Sequence, residues 1–175
     1  MDIVYIKDLP KSFCINTFIS NYIQNWNIDL EFVYISNFKN TKLLRDFVDS
    51  IFSLIWLPDD VIIKFILIVD ELNNNAIEYW TEMWWNNKMR IKCNTSDIGI
   101  WINIEVEDTG KWKKHKSALE METLRAHQLR LWYEKHKSIR GRGLFMIIVN
   151  TVDRLYFRDT KSWWLIVWIR KMVKV

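Results

Sequence analysis

Two consecutive stretches with alternating apolar side chains constrain the fold of this chain more than any other feature. They cover residues 89–93 and 98–106, and a polar turn at residues 95–97 separates them. Alternation of apolar and polar residues is the pattern of a β-strand with one buried face. The short connection predicts that the two strands form an antiparallel hairpin. The centre of the chain is therefore expected to be a sheet that needs a second layer on its apolar face.

Helical patterns precede this hairpin, and further strand patterns flank it. Apolar residues recur at helical spacing in residues 15–23, 43–52 and 58–79. Additional β-rich apolar stretches occupy residues 3–6, 30–35, 155–158 and 165–170. Helices grouped apart from a mostly antiparallel sheet predict an α+β fold, namely a two-layer α/β sandwich.

The bulk properties of the chain predict a soluble protein with one hydrophobic core. Its 175 residues suffice to bury such a core, and neither a repeat nor a linker divides them. The longest apolar run, residues 61–69, includes Lys64 and is too short to span a bilayer. The N-terminus lacks the pattern of a secretory signal, so we expect a cytoplasmic protein with no membrane span. Cys14 and Cys93 have neither metal-ligand spacing nor a disulfide framework, and we expect reduced thiols.

The positive charge of the chain is mild and concentrated in one region. The formal net charge is +4, and many of the lysines and arginines fall within residues 111–142. Such a cluster suits nucleic acid, a membrane surface, an acidic partner or a nucleotide phosphate. Charge alone weakly favours nucleic acid. Since no nucleic-acid-binding module accompanies the cluster, we expect no nucleic-acid partner.

Tryptophan is abundant in this chain and glycine is scarce. There are eleven tryptophans and four glycines, whereas an ordinary chain has about 7% glycine. The tryptophan pairs at residues 84–85 and 163–164 and the single Trp26 fall in polar stretches where turns favour glycine, and Trp80 follows a predicted helix. We therefore hypothesise that many of these codons are UGA and are read as glycine in the organism. The alternative is a tryptophan-rich protein with an aromatic surface, and the codons themselves decide between the two.

Glu71 and Asn75 are the first candidate functional residues. Their separation of four places both side chains on the same face of the helix that begins near Pro58. A carboxylate can orient or deprotonate a nucleophile, and an amide oxygen is a hard ligand suited to Mg²⁺. Taken alone, the pattern is equally typical of a solvated helix end. Three consecutive asparagines at residues 73–75 are poor helix formers, so something other than propensity must hold them there.

Two later glycine-containing segments have the composition of ligand-binding loops. Residues 108–110 read Asp-Thr-Gly at the end of a strand, where the carboxylate can accept a hydrogen bond and the glycine allows a ligand to approach the backbone. Residues 141–143 read Gly-Arg-Gly before an apolar segment predicted to be a short helix. Two glycines at a helix N-terminus expose backbone N–H groups to an anion. An ordinary turn explains either segment when it is taken alone.

The order and spacing of the three segments resemble the N, G1 and G2 boxes of the GHKL ATPases, which share the Bergerat fold. Within that group, the chain is similar to the bacterial anti-sigma-factor serine/threonine kinases. The segments that carry this closer similarity are residues 57–58, 75–78, 141–145 and 152–153. The resemblance spans roughly residues 30–171. It implies a histidine kinase-like ATPase domain over residues 29–175 and an N-terminal extension of unknown role over residues 1–28.

The resemblance implies a role for each candidate residue. Asp108 would accept a hydrogen bond from the adenine amino group, Asn75 would bind the Mg²⁺ that accompanies ATP, and Glu71 would orient a serine hydroxyl of a protein substrate. Residues 113–140 would form a mobile lid, and residues 141–143 would donate N–H groups to the phosphates. The predicted ATP-binding residues are Asn75, Asp108, Gly110, Trp112, Arg140, Gly141, Arg142, Gly143 and Leu144.

The resemblance also locates glycines that the printed chain lacks. The second glycine of the G1 box falls on Trp112, and other glycines of the pattern fall on Trp56, Trp80 and Trp163. An indole at position 112 would fill space that the adenine and the lid require. In the last strand, Leu165 stands where the pattern often has a threonine, so a polar contact to the adenine region is missing from the sequence.

The implied partners are an anti-sigma-factor antagonist, which is phosphorylated, and a sigma factor, with homodimerisation as a further expectation. Two other functions stay open on the residues alone. One is an ATP-binding regulatory module with little or no transfer activity. The other is the catalytic domain of a two-component kinase, which is disfavoured because His115, His127 and His136 all fall in the lid region.

Overall fold

The computed structural model describes residues 1–80, 85–109, 117–134, 151–162 and 164–174. In these ranges the chain forms a six-stranded sheet and four α-helices. The strands are β1 Asp2–Tyr5, β2 Ile28–Ile35, β3 Asn86–Ser96, β4 Gly99–Glu107, β5 Arg154–Asp159 and β6 Leu165–Val173. The helices are α1 Ile15–Ser20, α2 Lys39–Leu54, α3 Asp59–Asn75 and α4 Ala118–Glu134. No helix in the described ranges has the length and apolar character needed to cross a membrane.

The sheet has the strand order β1-β2-β3-β4-β6-β5. The pair β1 and β2 is parallel, and the remaining neighbours are antiparallel. The predicted hairpin is present, with Lys88 opposite Glu107 at one end and Ser96 opposite Gly99 at the other. Its turn lies at residues 97–98 and not at the expected 95–97, because Thr95 and Ser96 continue the ladder of β3. The predicted α+β, two-layer fold with a mostly antiparallel sheet is confirmed.

One face of the sheet and the inner faces of α2 and α3 form the core. Inward residues of the strands and helices bury their side chains completely, as the alternation and helical spacing predict. Phe32 of β2 stacks on Phe47 of α2 with ring centroids 4.6 Å apart, and Phe52 of α2 meets Phe65 of α3 edge-on at 5.4 Å. The first 28 residues join this core, because β1 extends the sheet and Ile19 of α1 is fully buried.

Helix α3 changes its winding where the candidate residues lie. It begins after Pro58, whose fixed φ suits a helix start, with Asp59 and Asp60 at the positive end of the dipole. Regular α-winding ends at Asn75, and residues Ala76–Trp80 continue as a π-helix. The predicted helix over residues 58–79 is therefore present in extent, and its final turn is wider than an α-turn. Such turns occur frequently at functional sites.

Helix α4 occupies the region expected to be a mobile lid. Ser117 and Glu120 form a reciprocal cap at its start: the Ser117 backbone N–H donates to Oε2 of Glu120 at 2.7 Å, and the Glu120 N–H donates to Oγ of Ser117 at 3.3 Å. The Ala118 N–H donates to Oδ1 of Asp159, and Arg125 donates to the Leu155 carbonyl. Both acceptors lie in β5, so α4 packs against the outermost strand at that side of the sheet.

Two tryptophans adopt backbone conformations that favour glycine. Asn25 and Trp26 have φ values of 49° and 63° in a two-residue turn, which reciprocal hydrogen bonds between Gln24 and Asn27 close at 2.9 and 2.8 Å. Positive φ at both central residues defines a turn for which Asn-Gly is the preferred sequence. Trp26 thus stands where the backbone calls for glycine.

Trp56 terminates α2 in the same left-handed region, with a φ of 62°. Its N–H donates to the Ser53 carbonyl at 3.1 Å, and the Leu57 N–H donates to the Phe52 carbonyl at 3.0 Å. This pair of bonds is the Schellman motif, whose left-handed residue is usually glycine. The structure therefore supports the glycine hypothesis at Trp56 and Trp26. It gives no such support at Trp80, which continues the π-helix and does not close α3 with a left-handed turn. Trp84, Trp112 and Trp163 lie outside the described residues.

Candidate functional site

The last turns of α3 bring Glu71 and Asn75 into contact. Nδ2 of Asn75 donates a hydrogen bond to Oε1 of Glu71 at 3.2 Å, and both side chains are partly buried. The separation of four residues predicts this arrangement. Because the bond uses the amide nitrogen of Asn75, its amide oxygen takes no part in it. The pair thus presents a carboxylate and a hard oxygen ligand side by side.

The end of β4 places Asp108 against the first residue of β6. The Asp108 N–H donates to the Leu165 carbonyl at 3.1 Å, and the Leu165 N–H donates to Oδ1 of Asp108 at 3.4 Å. Asp108 is only 3% exposed. A buried carboxylate requires hydrogen-bond donors, and a protein backbone donor holds one of its oxygens here. Leu165 therefore contacts the candidate adenine-binding residue through its backbone, although its side chain lacks the expected hydroxyl.

Thr109 adds a polar group that sequence reasoning did not single out. Its side chain is 6% exposed, and its hydroxyl has no hydrogen-bond partner in the part of the chain that the structure describes. Leaving such a group unsatisfied costs about 1–3 kcal/mol. A bound ligand with a donor or acceptor at this position would remove that cost. This buried hydroxyl beside Asp108 fits the edge of a heterocyclic base.

A buried hydrogen bond connects the sheet to the α3 end of the site. The Tyr34 hydroxyl in β2 donates to Oδ1 of Asn73, and Nδ2 of Asn73 donates to the Val69 carbonyl at 2.8 Å. Burial raises the pKa of Tyr34, and the negative charge of Asp108 raises it further, against a hydrogen bond with Asn87 that lowers it. The hydroxyl therefore stays protonated and remains a donor.

The sequence held two signals for this hydrogen bond. Tyr34 occupies an inward position in the alternation of β2, after Leu30 and Phe32, where an apolar side chain is the ordinary choice. Asn73 is the first of the three asparagines whose presence in a helix required an explanation. Neither signal identifies the other residue, because the two lie 39 residues apart.

The donor set suits Mg²⁺ accompanied by a nucleotide better than a metal site made of protein alone. No group of three or more histidine, cysteine or acidic side chains that would hold a metal occurs among the described residues. Magnesium usually takes one or two protein oxygens and completes its shell with phosphate and water. The amide group of Asn75 contains an oxygen of this kind, and Glu71 lies next to it.

The other candidate residues cannot be placed relative to this site. Gly110, Trp112, Arg140, Gly141, Arg142, Gly143 and Leu144 lie outside the described residues. The structure thus brings together Glu71 with Asn75, and it places Asp108 at the end of β4. It also adds the backbone of Leu165, the hydroxyl of Thr109, and the buried pair of Tyr34 and Asn73.

Comparison with known families agrees with this geometry. A family model described as the histidine kinase-like ATPase domain matches residues 36–171. The matched region includes Glu71, Asn75, Asp108 and the glycines at 141 and 143, and it excludes β1, α1 and β2. No curated protein matches the chain.

Proposed function

Because the chain belongs to the histidine kinase-like ATPase domain family, whose members bind ATP, we propose that it is an anti-sigma-factor-type serine/threonine protein kinase. It transfers the γ-phosphate of ATP to a serine of an antagonist protein. The observation that carries this proposal is the contact between Glu71 and Asn75, which sets a carboxylate beside the oxygen ligand expected for Mg²⁺.

The proposed ATP site extends from α3 to the end of β4. Asp108 accepts a hydrogen bond from the adenine amino group, and the Leu165 N–H, which donates to its Oδ1, helps to orient the carboxylate. The Thr109 hydroxyl bonds the ring edge next to it. The glycines at 110, 141 and 143 shape the pocket and donate N–H groups to the phosphates. Residues 113–140, which include α4, close over the nucleotide, and Arg140 and Arg142 neutralise phosphate charge.

In the transfer step, Glu71 positions the acceptor and takes its proton. The serine oxygen forms a bond to the γ-phosphorus, while the bond from that phosphorus to the bridging oxygen breaks and ADP leaves. The serine proton passes to the carboxylate of Glu71. Asn75 would hold Mg²⁺, which would neutralise charge on the phosphates. Positioning of this kind supplies most of the catalysis in phosphoryl transfer.

The proposed partners follow from the resemblance to the anti-sigma-factor kinases. The substrate is an antagonist domain with an exposed serine, and a sigma factor is the second partner, which the protein sequesters when it is free. Homodimerisation of the chain is part of the proposal. The kinase acts in the cytoplasm, where these partners are found.

The experiment incubates the protein with ATP labelled at the γ-phosphate and with a candidate antagonist, preferably one encoded next to this gene. The Trp112→Gly chain is included because the indole would obstruct the pocket. We expect label on the antagonist. Glu71→Ala should abolish transfer and leave ATP binding unchanged, whereas Asn75→Ala should weaken both.

Asp49→Ala is the control, since this exposed carboxylate lies on α2, outside the proposed site. It should transfer label as the parent does. ATP binding without transfer to any candidate would favour the regulatory module over the kinase. Label on a histidine of the chain would instead favour a two-component kinase. Equal transfer by the parent and Glu71→Ala would contradict the role of this residue.

A further inference from the structure

We propose that Tyr34 and Asn73 are positioning residues that fix the α3 turn carrying Glu71 and Asn75 relative to the sheet end carrying Asp108. The inference rests on the proposed ATP site and deepens it. It assigns to a buried side-chain pair the task of holding the Mg²⁺-binding and base-binding halves of the site in register.

The pair lies between the two halves. Tyr34 belongs to β2 in the sheet layer, and Asn73 belongs to α3 in the helix layer. Asn73 is two residues from Glu71 on one side and two from Asn75 on the other. Tyr34 is close enough to Asp108 for the charge of that carboxylate to act on its hydroxyl. The hydrogen bond from Tyr34 joins α3 to β2, and Nδ2 of Asn73 also lies 3.2 Å from Sδ of Met89 in β3. The pair therefore ties α3, which carries Glu71 and Asn75, to the sheet whose strand β4 ends at Asp108.

Burial makes this hydrogen bond difficult to replace. Tyr34 is 1% exposed and Asn73 is fully buried, so water does not substitute for a lost partner. Nδ2 of Asn73 already bonds the Val69 carbonyl one turn back. If the Tyr34 hydroxyl is removed, Oδ1 of Asn73 is left buried without its donor, which strongly favours a movement of the turn.

The local winding of α3 makes such a movement accessible. Asparagine is a poor helix former, and α-winding gives way to a π-turn directly after Asn75. Intrinsic propensity therefore holds this turn weakly, and the contact with Tyr34 supplies the missing constraint. A shift of about 1 Å in a positioned group reduces phosphoryl transfer strongly, and Mg²⁺ tolerates little departure from its coordination geometry.

A positioning role and a purely structural role predict different results for one measurement, the factor by which Mg²⁺ strengthens ATP binding. This factor is the ratio of the Kd for ATP without Mg²⁺ to the Kd with Mg²⁺. If the pair positions Asn75, Tyr34→Phe lowers the factor about fivefold to tenfold, on the scale of one disrupted polar contact. ATP binding without Mg²⁺ changes much less.

The matched control is Ser50→Ala. The Ser50 hydroxyl donates to Oδ1 of Asn16 at 2.7 Å, and this bond joins α2 to α1 away from the site. Loss of this bond should lower the melting temperature to a comparable extent and leave the Mg²⁺ factor unchanged. A fall of the factor in both variants would show that general destabilisation, and not the position of Asn75, is responsible.

A double variant separates stability from positioning. Tyr34→Phe combined with Asn73→Leu removes both polar partners, and such paired replacements are often nearly neutral for stability. We expect this variant to recover much of the melting temperature lost in Tyr34→Phe while its Mg²⁺ factor stays low. An unchanged factor in a folded Tyr34→Phe or double variant would overturn the inference.

Failure of the proposed function gives a different pattern. Absence of phosphate transfer in the parent chain, together with an intact Mg²⁺ factor, would refute the kinase and leave the positioning role standing. All binding measurements use the full chain with Trp112→Gly as the common background. If this background shows no Mg²⁺ enhancement of ATP binding, both the site and the inference fail.

Discussion

The two ends of the sandwich differ in the residues that they bury and expose. We call the end at which β4 reaches Asp108 the site end, and the end with the turn between β3 and β4 the far end. At the site end, Tyr34, Asn73 and Asp108 are buried, and their side chains make the contacts. At the far end, the turn at residues 25–26, the end of α2 and the turn of the hairpin line one cavity of about 220 Å³. There Trp26 and Trp56 adopt left-handed backbone conformations, and their side chains are 50% and 73% exposed.

The contrast shows where side-chain chemistry is required and where only backbone conformation is required. At the far end, Gly99 has a φ of 139°, and a Cβ there would lie 2.2 Å from the Val173 carbonyl oxygen. Position 99 therefore accepts only glycine. The left-handed backbone conformations at Trp26 and Trp56 also favour glycine. An exposed indole adds little that the fold needs at these two positions. We therefore expect that glycine in place of Trp26 or Trp56 stabilises the fold.

The largest expected effect concerns Asp108 at the site end. In Asp108→Asn the side chain keeps its shape, but its charge is lost and one acceptor becomes a donor. We expect ATP binding to weaken about 10- to 100-fold, since hydrogen bonds to charged groups contribute about 1.5–3 kcal/mol. Isothermal titration calorimetry measures the Kd for ATP of this variant and of the parent chain. Unaltered affinity would show that Asp108 does not bind the nucleotide. The site end would then have no demonstrated ligand-binding side chain to distinguish it from the far end.

The next effect compares two tryptophans. Trp101 lies within β4, where the Arg170 guanidinium sits 4.1 Å from the centre of its ring. Trp101→Gly should therefore lower the free energy of unfolding by roughly 1–3 kcal/mol, through lost packing and lost strand propensity. Trp56→Gly should raise it by about 0.5–1 kcal/mol, because relief of a left-handed backbone outweighs the entropy of glycine. Chemical denaturation of the two variants checks both signs.

Destabilisation by Trp56→Gly would contradict the interpretation that the backbone at position 56 favours glycine. The codons give an independent answer. We expect UGA at positions 26 and 56, where the backbone favours glycine, and UGG at those two positions would end the glycine hypothesis for them. The gene sequence is sufficient for this check.

The smallest expected effect is the pH dependence of an ion pair on the outer face of the sheet, towards the far end. Arg90 donates to both carboxylate oxygens of Asp29 at 2.8 and 2.7 Å, and this holds the pKa of Asp29 below its usual value. A lowered folded pKa means that the pair stabilises the fold above the ordinary aspartate pKa and loses that contribution as the pH falls through the folded value. Asp29→Asn should cost up to about 1 kcal/mol at neutral pH and progressively less in acid. Urea melts at several pH values test this, and a constant difference would exclude the pair as the cause.

Much of the fold was predictable because it depends on local periodicity. Alternation identified β3 and β4, helical spacing identified α2 and α3, and a separation of four placed Glu71 beside Asn75. The glycine-like turn at residue 26 was also visible, since polar residues between apolar stretches mark turns, and the resemblance to the family pattern indicated a glycine at position 56.

Contacts that depend on long-range register were not predictable. The bond between Tyr34 and Asn73 requires a strand and a helix, 39 residues apart in sequence, to meet at one depth in the core. The docking of α4 on β5 likewise depends on how a connection folds back on the sheet. Periodicity reports which face of an element is buried, and it contains no information about the residue that the face meets.

Hydrogen exchange with and without Mg²⁺ and ATP tests the central claim most directly, because it compares both ends of one molecule. The Trp112→Gly chain is used, and exchange of backbone amides is followed by mass spectrometry. We predict slower exchange on nucleotide addition in residues 71–77 and 104–109, with no change in residues 24–28, 54–58 and 94–100. Protection confined to the far end, or no protection anywhere at saturating nucleotide, would contradict the assignment of the ATP site.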